Sequence, residues 1–117
     1  MGTDAASAMK SRLRSDLRVA MKDGRADEVR LIRTLVAALD NAEAPPLPSG
    51  GAGQQDHLEA SSGEVERLLL GPAQVRAVLE AEFQERERAA EEMSLLNQPE
   101  RAAAIRAELL LIGRYLG

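Results

Sequence analysis

Cysteine and tryptophan are absent from these 117 residues, and Phe83 and Tyr115 are the only aromatics. Without cysteine there is no disulfide, no thiolate metal site and no Cys nucleophile. Nothing argues for an oxidising compartment, so the cytoplasm is the expected setting. With 2% aromatics the core must be assembled from Leu, Val, Ile, Ala and Met, which favours helices over strands. No apolar run approaches the roughly 20 residues a membrane helix needs, and the first nine residues lack the charged and apolar regions of a signal peptide. No membrane partner is therefore expected. Histidine occurs once, as His57, which excludes a di-iron carboxylate bundle, because that site takes a Glu-x-x-His pair from each of two helices. The length predicts one domain with a few layers of core and no large catalytic cavity.

Charge is plentiful but divided. The formal net charge is -4, yet residues 1–44 hold eight Lys or Arg against seven Asp or Glu, and residues 45–117 hold seven against twelve. The first part sums to +1 and the second to -5. A local basic ridge can still act within a Debye length of about 10 Å, so the total does not decide the partner.

Along the chain, apolar spacing predicts an all-α fold of four main helices, arranged as two hairpins joined by a flexible loop. Residues 4–44 form the first hairpin. Its first helix, 4–23, turns Met9, Leu13, Leu17, Ala20 and Met21 inward and ends at Gly24 in a left-handed cap. The second starts with Asp27 and Glu28 at the positive end of its dipole, carries Leu31, Ile32, Leu35, Val36 and Leu39 inward, and stops near Glu43 before Pro45 and Pro46. Residues 45–63 hold ten Pro, Gly or Ser among nineteen and no apolar period, which predicts the loop. His57 lies within it without neighbours that would make it a ligand. Gly50, Gly51 and Gly53 lack the Lys-Ser/Thr pair of a phosphate-binding loop. Residues 64–117 form the second hairpin, in which 65–70 is either extended or a helical turn. The long helix at 71–97 is the most clearly bounded element: Gly71 is its N-cap, Pro72 its first residue and Gln74 its third, and Asn97 and Pro99 close it.

Two groups of charges stand out. Arg14, Arg18 and Lys22 recur at i, i+4 and i+8, with Arg25 near the same line, off the apolar stripe. They form either the solvated face of a surface helix or a ridge that contacts phosphates. Glu82 and Arg86 interrupt the apolar stripe of the long helix, which Val75, Val78, Leu79, Phe83, Ala90, Met93 and Leu96 turn inward, and Glu108 falls on the inner face of the last helix. Arg86 either bridges the two carboxylates or reaches the rim with its stem buried. Neither group is catalytic. Ser49, Ser61 and Ser62 lie in the loop and Ser7 and Ser15 on an exposed helix face, without a Lys or His to activate them. No metal site and no cofactor site is expected.

The sequences Leu13-Arg14-Ser15-Asp16-Leu17, Ala20-Met21-Lys22, Arg30-Leu31-Ile32-Arg33 and Asn41-Ala42-Glu43 resemble the opening signature of the GatB/YqeY-domain family. Val75 to Glu82, Glu85-Arg86, Ala89-Ala90, Glu108 and Tyr115-Leu116 resemble its later part. Members usually continue past this point with a small C-terminal helical domain, so only the N-terminal helical part is matched. The family takes its name from similarity to the tail of the B subunit of tRNA-dependent amidotransferases. The resemblance therefore implies an accessory or tRNA-binding role in tRNA amidation, a partner that is tRNA or a tRNA-processing complex, and carbon-nitrogen ligase activity with glutamine as amido donor residing elsewhere. The alternative reading is a protein-interaction or dimerisation module, favoured by the acidic second half and the apolar run from Leu109 to Ile112.

Overall fold

The computed structural model describes residues 4–45 and 67–117. Among them the chain is all-α, with four helices and no strand: α1 (Ala5–Lys22), α2 (Ala26–Glu43), α3 (Pro72–Leu95) and α4 (Pro99–Leu116). The expected loop at 45–63, with His57, the three glycines and Ser49, Ser61 and Ser62, lies outside the described residues except for Pro45.

Each helix begins and ends for a local reason. Asp4 caps α1 by accepting the Ser7 N–H at 3.3 Å. That bond outweighs partial burial and holds the Asp4 carboxyl below the usual value. α1 closes on Gly24 at φ 73°, where the Gly24 N–H donates to the Met21 carbonyl (3.2 Å) and the Arg25 N–H to the Ala20 carbonyl (2.9 Å). This is a Schellman motif, and the positive φ is what favours glycine there. α3 starts on Pro72, with the Gly71 N–H donating to Gln74 Oε1 at 2.8 Å. It closes by the same motif with Asn97 at φ 59°, the Asn97 N–H reaching the Ser94 carbonyl (3.0 Å) and the Gln98 N–H the Met93 carbonyl (2.8 Å). Asn tolerates this region better than most side chains.

The two short turns make α1 with α2 and α3 with α4 the closest-packed pairs. Where the hairpins meet, Leu13, Leu31, Ile32, Leu35, Leu39, Val75, Leu79, Ile112 and Tyr115 form one core. Leu70 joins them from a non-helical segment, 67–70, whose Leu68 N–H donates to the Glu43 carbonyl at 2.8 Å. The described part of 65–70 is thus not a helical turn but irregular chain laid against the end of α2.

Two side chains expected inside are outside. Met21 is 53% exposed although Ala20 beside it is fully buried, so the covered face of α1 is narrower than its apolar stripe at this end. Leu96, placed on the α3 stripe, is also exposed at the tip of the second hairpin. The inner stripe of α1 instead takes in Lys10, which is buried with Ala6, Leu13 and Ala20.

Candidate functional site

Arg14, Arg18 and Lys22 all lie exposed along α1. Among the described residues none of the three has an ion-pair partner. Arg25 differs: its guanidinium is 3.1 Å from Asp23 and 3.3 Å from Glu28, so its charge is matched locally. The ridge is therefore three cations rather than four. Exposed Met21 shares the α1 face of Arg14, two turns on, and lines a shallow depression of about 440 Å³ with Val29, Arg30 and Arg33 of α2. Arg30 is paired with Asp27, while Arg33 is exposed. Arg33 thus adds a cation that α1 alone did not reveal.

The seam between α3 and α4 brings its three residues together. Arg86 Nη1 donates to Glu82 Oε1 and Arg86 Nε to Glu108 Oε1, both at 2.8 Å, and Nη1 also reaches the Glu82 carbonyl at 3.0 Å. The Arg86 side chain is 17% exposed, neither sealed in the core nor free at the rim. Burial works against its charge, but its hydrogen bonds to the two carboxylates prevail and raise its pKa.

Two further polar clusters went unread in the sequence. Lys10 Nζ sits 2.8 Å from Asp40 and 2.6 Å from Glu43, and Arg67 completes the group at 2.9 Å from Glu43. Lys10 and Glu43 are both buried. Desolvation would lower the Lys10 pKa, yet the hydrogen bonds to Asp40 and Glu43 leave it raised. The cluster ties α1 to the end of α2 and to the segment that leads into α3. In the second cluster the Tyr115 hydroxyl donates to Asp16, the Arg12 guanidinium lies 4.6 Å from the Tyr115 ring centroid, and Arg114 reaches buried Glu28 at 3.0 Å. Burial, then the bond to Asp16, pushes the Tyr115 hydroxyl well above its ordinary value. These groups cross from α1 and α2 to α4 and fix how the hairpins dock.

None of these clusters offers a nucleophile with its base. Among the described residues no group of three His, Asp or Glu is placed to hold a metal ion, and no helix is long and apolar enough to cross a membrane. The arrangement can pair ions, dock helices and present charge.

Comparison with protein-family models, curated proteins and solved structures finds no match to this chain. That corrects the vocabulary the resemblance carried. GatB/YqeY domain, tRNA amidotransferase-like, tRNA binding, carbon-nitrogen ligase and cytoplasmic find no support there, and the description that stands is an all-α helical bundle.

Proposed function

We propose that this chain is a noncatalytic helical binding module whose first hairpin engages a polyanionic partner surface. The observation that carries the reading is the row of exposed cations Arg14, Arg18 and Lys22, aligned on one face of α1 and without ionic partners among the described residues, where six of the other eleven arginines have one. Cations left unmatched on one helix face serve association better than stability, since an exposed charge contributes little to folding. Heparin is the first probe, with an acidic polypeptide and tRNA in parallel, because the accessory role implied by the resemblance is one form such a partner takes.

Replacing Arg14, Arg18 and Lys22 together by Gln should weaken polyanion binding and flatten its dependence on salt, by about 0.9 per lost contact on a duplex. Stability should change by less than about 0.5 kcal/mol. Titrations at several salt concentrations, with thermal melts alongside, measure both. Wild type that binds none of the three probes at low salt, or a triple variant with an unchanged salt slope, removes the ridge from the account.

A specific observation also keeps the interaction reading alive. The tip of the second hairpin exposes Leu95 (82%) and Leu96 (58%), whereas of the apolar run at the end of α4 only Leu110 is strongly exposed. Sedimentation over a range of protein concentrations tests it: dimerisation through apolar contact should persist in high salt.

A further inference from the structure

The opposite side of α1 carries a depression of about 540 Å³, closed by the start of α3 and the end of α4. Its volume falls within the range of small-molecule clefts, and its surface is mostly apolar. The space exists because Ala8 of α1 and Ala73 of α3 are small where they face it, while Met9 and Val75 supply apolar walls. Two guanidinium groups, Arg12 and Arg76, border it, and no Asp or Glu side chain lines it.

Both arginines are already held in place by the end of α4. Arg12 Nη2 donates to the Arg114 carbonyl at 3.0 Å and Arg76 Nη1 to the Leu116 carbonyl at 2.6 Å, so each meets an orphan carbonyl of that helix. Arg76 Nε also pairs with half-exposed Glu80 at 3.1 Å, outside the lining of the hollow, whereas Arg12 has no ion-pair partner among the described residues. A guanidinium has five N–H donors, and these bonds use a minority of them. The remaining donors stand beside an apolar hollow with no side-chain carboxylate in its lining. We propose that this depression binds a small amphipathic carboxylate, its apolar tail against Met9 and Val75 and its anionic head between Arg12 and Arg76. Charge complementarity selects this occupant over a neutral apolar one: two fixed guanidiniums offer a carboxylate charge-assisted bonds that an alcohol of the same length cannot match.

Tyr115 lines the same depression and is the only tyrosine in a chain without tryptophan, so its emission reports on this place alone. The experiment is a fluorescence titration of the full chain with octanoate, with octanol as the neutral counterpart. Octanoate should give a saturable change and raise the melting temperature, and octanol should bind about tenfold more weakly, equivalent to about 1.4 kcal/mol. Arg12→Gln and Arg76→Gln should each bring octanoate close to octanol. Ala8→Leu, at an exposed position that a folded chain tolerates, should fill the hollow and abolish the change. Equal binding of octanoate and octanol, unaltered binding by Ala8→Leu, or no saturable change at all overturns the proposal. So does concentration-dependent dimerisation that Ala8→Leu abolishes, which would assign the hollow to a second copy of the chain.

Discussion

Half of the second hairpin is packed by the first hairpin and half is not. Up to Phe83 in α3, and from Leu111 onward in α4, the helices share the common core. Beyond those points α3 and α4 have each other, and the buried residues there are Ala90 and Ala102. The uncovered stretches, 84–95 of α3 and 99–110 of α4, are each twelve residues long, about 18 Å of helix. The two ends also use charge differently. The four-helix end buries Lys10 and Glu43 in its interior, whereas the two-helix arm places Arg86 and its carboxylates at the boundary, partly in water. Similar apolar spacing thus yields a sealed core in one place and a helix pair standing in solvent in the other.

The widest gap between the two ends should come from apolar truncation. Leu35→Ala, at a site with no exposure, should cost about 3 to 5 kcal/mol, while Leu95→Ala in the arm should change stability by less than about 0.5 kcal/mol. Urea unfolding of the two variants measures the contrast, and equal losses would erase the distinction between core and arm.

Charge removal should show a smaller gap in the same direction. Lys10→Met leaves Glu43 buried with only Arg67 to meet it, and should cost about 2 to 4 kcal/mol. Arg86→Ala should cost about 1 to 2 kcal/mol, discounted because Glu108 is 37% exposed and can take up water. Hydrogen exchange sharpens the point: the Arg86 variant should speed exchange in the arm amides from 87 to 106 more than in α1 and α2. A uniform increase across all four helices would mean that the arm is no separate unit.

The smallest effect at neutral pH belongs to Tyr115, and it appears in alkali. Its folded-state pKa is raised above the ordinary 10.0, so its contribution is complete below pH 10 and declines as the pH climbs towards the folded value. Lys10, also raised, acts in the same direction above its ordinary 10.5. Tyrosinate absorbance, which only Tyr115 can produce, should rise well above pH 10 in the native protein and near pH 10 in urea. Coincident curves would place the hydroxyl in solvent.

Much of the fold was legible because its punctuation is local. Gly24, Pro72, Asn97 and Pro99 act through their own backbone preferences, and the helix bounds follow from them. Glu82, Arg86 and Glu108 were legible as charges inside an apolar stripe. Lys10, Glu28 and Glu43 had the same signature, on 6-10-13-17-20 in α1 and 28-32-35-39-43 in α2, but Glu28 and Glu43 sit in the end turns of α2, where a charge reads as ordinary capping or fraying. A lone Lys10 reads as a stem lying along the core with its head in water. Their burial depends on α4 and on the 67–70 segment, partners distant in sequence. Exposure of Met21 and Leu96 was illegible for the converse reason: periodicity says which face a residue occupies, not whether a neighbour reaches that far.

The paired Schellman turns also bear on how quickly the chain finds its fold. Gly24 and Asn97 each reverse the backbone within three residues, so α1 meets α2, and α3 meets α4, at small cost in loop closure. Most contacts in the native state are of this short-range kind. Each hairpin should therefore set its register first and then dock on the other through Leu35, Leu79 and Ile112. Substitutions at the two turns and at these three positions would test that order by their separate effects on the folding rate. Folding should accordingly fall in the microsecond-to-millisecond class of helical bundles, with the arm beyond Arg86 contributing to the rate of unfolding and little to the rate of folding.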